Sequence, residues 1–190
     1  MRLEEHEKLS HFEQAILPHM DAAHNLARWL ARNEQDAQDV VQEAYLRAFR
    51  FFGGYRGGNS RAWLLKIVRN TFYTWAQQNR MQQISEPFDE QLHAVESDDA
   101  NPETALVKKA DSQLVRRALE ELPIEFREAL VMRELEGMSY SEMGKILNQS
   151  LGGIRTTLFR ARQHLKKRLL EQNSVTTRAL GRLPAAVGIE

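Results

Sequence analysis

Large apolar side chains recur every three or four positions along two stretches of the chain and lose that rhythm between them. In the first stretch Pro18 suits the opening position of a helix, where its missing N–H costs nothing. Leu26, Trp29 and Leu30 then fall at helical spacing. A second helix is predicted from about Glu34 to Phe52, with Val40, Val41, Ala44, Tyr45, Ala48, Phe49 and Phe52 on one side. Four glycines between Gly53 and Asn59 make a helix too costly there, so a loop is expected. Ser60 suits the cap of a third helix running to about Arg80, with Leu64, Val68, Thr71, Phe72 and Trp75 turned to the core. The second stretch predicts helices at about 106–121, at 123–135 started by Pro123, at 139–147 and at 151–171. Neither stretch alternates with the period of a strand. The expectation is an all-α protein of two small helical domains.

Between the stretches, Ser85 to Pro102 holds two prolines and no steady period, the composition of a flexible linker. The expected division is a first domain at 1–84, an acidic linker at 85–105, a second domain at 106–172 and a short tail at 173–190. Charge follows the same division. The chain is neutral as a whole, which would argue against a nucleic-acid partner, but residues 86–113 carry 2 Lys/Arg against 8 Asp/Glu while both flanks are net basic. That asymmetry is more informative than the total. With no cysteine, a disulfide framework and a thiolate metal site are excluded. No apolar run approaches the length of a membrane span, and the charged N-terminus lacks the apolar stretch of a signal peptide. The expected location is the cytoplasm, with no membrane insertion.

Three constellations carry candidate chemistry. On the third helix Trp63, Lys66, Asn70, Tyr73 and Gln77 fall 3, 4, 3 and 4 apart, on a side away from the core residues. Flat rings, a cation and an amide suit unstacked bases: rings stack, Lys meets phosphate and Asn bonds a base edge. Trp63 alone is read more simply as packing, since Trp is usually buried. The loop just ahead, with Tyr55 and Arg56, turns the combination into a candidate nucleic-acid surface. On the second helix Asp36, Asp39 and Glu43 share a face. No histidine joins them at ligand spacing, and Arg47 stands where an i,i+4 pair with Glu43 forms, so a partner-binding or solvated face is expected rather than a metal site. The strongest local signal runs from Gly137 to Arg155. Gly137 ends one helix, Ser139 and Glu142 form a capping box for the next, and Ser150 caps a last helix with apolar Ile154, Leu158, Ala161, Leu165 and Leu169. Its other sides carry Arg155, Arg160, Arg162, Lys166, Lys167 and Arg168, with Thr156 and Thr157 near the end that a recognition helix points into the major groove. This is a DNA-binding helix-turn-helix. No nucleophilic triad, phosphate-cradling loop or metal cluster can be assembled, so neither an enzyme nor a cofactor is expected. An ordinary two-domain helix-turn-helix regulator remains open as an alternative; it would need neither the aromatic stripe nor the acidic helix face.

The segments Asp36–Phe49, Arg61–Asn70 and Leu119–Glu142 resemble, in that order, the polymerase-docking helix, the promoter-melting helix and the upstream-element domain of bacterial sigma factors. Two domains with only a linker between them resemble the small extracytoplasmic-function (ECF) group, and the resemblance covers about residues 12–170. It implies a non-enzymatic factor that binds core RNA polymerase, recognises minus-thirty-five and minus-ten promoter elements and promotes melting. Its partners would be core RNA polymerase, promoter DNA and an anti-sigma factor. The resemblance assigns polymerase binding to Asp39, Val40, Gln42 and Glu43. It assigns minus-ten DNA to Tyr55, Arg56, Asn59, Trp63 and Asn70, to which the stripe adds Lys66 and Tyr73. For minus-thirty-five DNA it points to Arg155, Thr156, Phe159 and Arg160, with Arg162 on the same basic helix. Where relatives usually carry Gly-Thr-Val-Arg-Ser-Arg, this chain has Gly152-Gly153-Ile154-Arg155-Thr156-Thr157, one hydroxyl and one basic group fewer.

Overall fold

The structure, a computed structural model, describes residues 2–82 and 113–180. Regular secondary structure among them is helical throughout. The expected linker at 85–105 and residues 181–190 lie outside the described residues. The first module comprises α1 (Arg2–Ile16), α2 (Met20–Ala31), α3 (Glu34–Phe51) and α4 (Ser60–Gln82). The second comprises α5 (113–120), α6 (Ile124–Leu130), α7 (Tyr140–Leu147) and α8 (Leu151–Leu180).

Helices α2, α3 and α4 meet through small side chains. Ala23, Ala27, Ala37, Ala44 and Ala48 are all fully buried, which lets the backbones approach closely. Leu26, Val40, Leu64, Leu65, Val68 and Phe72 fill the space between them; each large apolar side chain so buried contributes about 1.5–3 kcal/mol. Of the positions expected on the core side of α4, Leu64, Val68, Thr71 and Phe72 are buried, while Trp75 is only half-buried. Helix α1 was not foreseen, because its apolar positions are few. It is anchored by Phe12 and Ile16, with the Phe12 ring edge-on to Phe49 and Phe52, each at 5.2 Å.

The ends of the helices follow local chemistry. Arg32, at φ 70°, closes α2, and Asn33 caps α3 by accepting the Asp36 N–H at 2.8 Å. The cap of α4 is Asn59 rather than the expected Ser60: Asn59 Oδ1 accepts the Ala62 N–H at 2.9 Å. The Ser60 hydroxyl instead meets His19 Nε2 at 2.9 Å, a bond that leaves its oxygen unavailable to the helix end. Helix α6 gives way to a π-helical turn over Val131–Leu135, and Gly137 turns the chain out at φ +62°. Ser139 and Glu142 form the capping box that starts α7. Helix α8 runs to Leu180, beyond the expected end at 171.

The two modules are packed against each other. The link starts from Arg127 on α6, which is 1 % exposed and has no carboxylate partner. Its guanidinium donates to the carbonyls of Leu119 (3.1 Å), Glu120 (3.1 Å) and Leu122 (2.9 Å) around the α5–α6 corner, and to Trp29 O (2.9 Å) at the end of α2. Burial, aided by the nearby Arg32, lowers its pKa to about 10, so it stays a cation at neutral pH.

The capping box gives a stability test. Ser139→Ala should cost about 0.5–2 kcal/mol, read as a lower urea midpoint. The Ser139 hydroxyl and backbone N–H, followed by Asn59 and Arg61, hold the Glu142 carboxyl below its ordinary pKa. A carboxyl depressed in the folded state stabilises above its unfolded pKa, and that stability is lost as pH falls through the folded value. Glu142→Gln should therefore remove part of the acid-side loss of stability in a urea titration below about pH 4.3.

Candidate nucleic-acid interface

Two glycines shape the loop ahead of α4. Gly57 and Gly58 sit at φ +83° and +99°, a region that side-chain-bearing residues rarely adopt. The turn they make lets the Tyr55 hydroxyl donate to Gly58 O at 2.8 Å. The Tyr55 ring then lies 5.5 Å from Phe52, nearly parallel at 21°, and 5.1 Å from Trp63. Arg56 and Asn59 stay exposed on the loop. The result is a half-buried aromatic platform beside the first turn of α4.

The stripe on α4 divides in two. Lys66, Asn70 and Gln77 are exposed, in line along the helix. Trp63 belongs to the aromatic platform, as the packing interpretation of that residue expected. Tyr73 is half-buried, its hydroxyl donating to Glu128 Oε2 at 3.2 Å across the module boundary, with the Arg69 guanidinium 4.7 Å from its ring. Burial first, and then the charge of Glu128, push the Tyr73 hydroxyl far up, so it serves only as a neutral hydrogen-bonding group.

On α3 the exposed residues Asp39, Gln42, Glu43, Leu46 and Arg50 share the outward face. Arg47 Nε meets Glu43 Oε1 at 2.7 Å, the i,i+4 pair expected from spacing. Val40 is fully buried, so its side chain belongs to the core and offers no docking surface. Leu46, 57 % exposed and set among polar groups, was not picked out, because its position one residue past Tyr45 reads as an ordinary gap in the apolar pattern.

The helix-turn-helix is built around Gly144. A Cβ there would stand 2.8 Å from Gln149 O, so only glycine lets the turn fold back over α7. Asn148 takes the left-handed conformation at φ 54°, and Gln149 N–H closes onto Gly144 O at 3.0 Å. Ser150 caps α8 through the Gly153 N–H at 3.1 Å. Ile154, Leu158 and Ala161 are buried against α6 and α7, which fixes the opposite side outward. There Arg155, Thr156, Phe159 and Arg160 are exposed, Phe159 at 62 %. Thr156 Oγ1 donates to Gly152 O at 3.0 Å, leaving its oxygen free to accept. Arg162 lies further round, paired with Glu134 at 2.7 Å in an exposed bridge that contributes little stability.

Sequence reasoning also missed the charged seam between modules, formed by Arg61 and Arg69 on α4 with Glu128 and Glu136. Arg69 sat between core and stripe positions, and nothing in a one-dimensional pattern pairs it with a residue 59 positions away.

A recognition helix with a basic outward end, joined to a helical module that bears an aromatic platform and an exposed Lys–Asn row, defines a two-module helical DNA-binding protein. Two family descriptions match it in order: Sigma-70 region 2 over residues 15–81 and Sigma-70, region 4 over 112–165. The ECF RNA polymerase sigma factor SigE of Mycolicibacterium smegmatis is 33% identical over 171 residues, a match spanning 88% of this chain and 65% of that protein. The RNA polymerase sigma-H factor of Pseudomonas aeruginosa is 30% identical, over 83% of this chain and 86% of that one. The ECF RNA polymerase sigma-E factor of Escherichia coli K12 is 33% identical, over 70% and 74%. Among solved structures, the sigma factor RpoE in complex with the anti-sigma factor NepR from Bartonella quintana superposes with a TM-score of 0.70 at 28% identity, over 83% of this chain and 96% of that one. CnrH in complex with the cytosolic domain of CnrY gives 0.58 at 25% identity, over 85% and 88%. The chain belongs to the extracytoplasmic-function family of RNA polymerase sigma factors.

The close approach at Gly144 is directly testable. Gly144→Ala should force the turn away from α7, costing about 1–3 kcal/mol, and should lower duplex DNA affinity more than a surface substitution of equal thermal cost. Urea unfolding and fluorescence anisotropy with duplex DNA measure the two effects.

Proposed function

We propose that the chain is an alternative sigma factor with its work divided between the modules. Residues 1–84 dock on core RNA polymerase, capture minus-ten bases and promote melting. Residues 106–172 read the minus-thirty-five element. The observation that carries this proposal is the pairing, in one chain, of an exposed basic recognition helix with the Tyr55 loop and the exposed Lys66–Asn70 row. The ordinary regulator is disfavoured by family membership, and it gives no role to that row or to the outward face of α3.

Docking belongs to Asp39, Gln42 and Glu43, with Leu46 as an apolar contact at their centre; an exposed apolar side chain ringed by polar groups suits a binding hot spot. Arg155 and Arg160 supply the charge-assisted contacts to base edges or phosphate in the major groove, Thr156 a short polar contact and Phe159 an apolar one suited to a thymine methyl. Arg162, shared with Glu134, serves the backbone. Minus-ten bases stack on the platform of Tyr55 and Trp63, with Lys66 and Arg56 toward phosphate and Asn59, Asn70 and Tyr73 toward polar edges. Two structural neighbours are sigma factors held by anti-sigma or cytosolic partners, and an anti-sigma factor is proposed for this chain on that similarity.

Docking is tested by reversing charge. Asp39→Lys with Glu43→Lys should weaken binding to core polymerase severalfold, because like charges would meet a basic partner surface, while helicity is unchanged. Wild-type affinity in a core-binding titration would remove this face from the docking surface.

Melting is tested by permanganate reactivity of promoter thymines. Stacking on an aromatic ring is worth roughly 1–3 kcal/mol per base, and flipping a base costs a few kcal/mol. Those magnitudes nearly cancel, so the loss of one contact should tip DNA back toward the closed form. Asn70→Ala and Tyr55→Ala should keep core binding and closed-complex formation while reducing thymine reactivity, and a template mismatched over the minus-ten region should recover activity. Wild-type reactivity in both variants would move the melting role elsewhere.

A further inference from the structure

The carboxylates of the second module lie on the flank of the helix that is proposed to hold single-stranded promoter DNA. Glu128 takes a two-pronged contact from Arg69, Nε to Oε2 at 2.9 Å and NH2 to Oε1 at 3.0 Å, and accepts the Tyr73 hydroxyl as well. Glu136 pairs with Arg61 NH2 and accepts Asn25 Nδ2 at 3.1 Å, and its carbonyl receives Arg61 NH1 at 2.6 Å. Glu142 accepts Asn59 Nδ2. Glu128 and Glu136 are only 2 % and 6 % exposed, so both are sealed into the seam rather than resting on a surface.

We propose that the second module is an internal competitor for promoter DNA: Glu128, Glu136 and Glu142 occupy Arg69, Tyr73, Arg61 and Asn59 in the free chain, and these contacts break before bases reach α4. The inference rests on the minus-ten assignment above. Its physical basis is the likeness between a carboxylate and a phosphate as partners for arginine. Each presents oxygens to the planar guanidinium fork, and each binds best by two parallel bonds. Asn59 and Tyr73, two residues assigned to minus-ten DNA, are both engaged by acids of the second module. Opening the seam returns every one of these charges to water, which offsets much of the lost attraction. Closed and open forms can therefore lie close in free energy, within reach of a polyanionic ligand. Arg127 loses only Trp29 O on opening and keeps three carbonyls, so the second module survives separation as a unit.

The absence of cysteine makes the test clean. Cysteines placed at exposed Gln35 on α3 and Lys145 on α7 take a donor and an acceptor dye in the full chain. Wild type should show high energy transfer, falling when core polymerase is added. Glu128→Gln with Glu136→Gln should lower transfer in the free chain. It should also raise affinity at least fivefold for a single-stranded oligonucleotide, the non-template minus-ten strand of a promoter that the holoenzyme opens. Because Glu128 is deeply buried, Glu136→Gln with Asn25→Ala provides a second variant that spares it, with circular dichroism confirming helicity. The exchange Arg61→Glu with Glu136→Arg should restore transfer. Unchanged transfer in both folded variants overturns the closed seam. Reduced transfer with unchanged oligonucleotide affinity overturns the competition. Oligonucleotide binding that survives Asn70→Ala and Tyr55→Ala undamaged would count against the minus-ten assignment, whatever the dyes report.

Discussion

A single buried cation, Arg127, sets the geometry on which the second module and its attachment depend. A guanidinium without a carboxylate partner is costly to desolvate unless its donors are satisfied. Four carbonyls satisfy it here, three at the α5–α6 corner and one at the end of α2. The bonds that make burial tolerable therefore also fix the entry angle of α6 and tie it to the first module. The next residue, Glu128, is delivered to Arg69 and Tyr73 as a consequence.

From that anchor the two modules reach their surfaces by different means. The first relies on a row of buried alanines, which bring three helices close enough for α4 to serve three purposes at once. One side of α4 fills the core, one meets the second module, and one remains exposed as the Lys66–Asn70 row. The second module is small, and its precision comes from ends rather than bulk. Gly137, the Ser139–Glu142 box, Gly144, Asn148 and Ser150 each satisfy a helix terminus or permit a close turn. Together they hold α8 so that Ile154, Leu158 and Ala161 are buried and Arg155, Phe159 and Arg160 are presented.

This economy creates a conflict. The polar groups suited to nucleic acid are also suited to carboxylates, and the second module carries its acids where the first carries its arginines. A sigma factor must hold two promoter elements with two modules, and a packed seam opposes that separation. Glu142 shows the overlap most directly: it caps α7 within its own module and also accepts from Asn59, the residue that caps α4 in the other.

Much of this was determined by sequence alone, because it depends on interactions within a few residues. Helical period placed α2, α3, α4 and α8, and the capping box, Gly137 and the Gly53–Asn59 loop set their limits. The helix-turn-helix and its basic side were legible for the same reason. Local rules failed where a neighbour outside the window competed. Ser60 lost the cap of α4 to Asn59 because His19 engages its hydroxyl. Val40 proved to be core because three helices close over it. Trp63 and Tyr73 left the exposed row for partners in the loop and in the other module. The seam itself, Arg61 with Glu136 and Arg69 with Glu128, was decided only by tertiary structure. Its partners are 75 and 59 residues apart, and what pairs them is the packing that excludes water from both, a property that no stretch of sequence holds on its own.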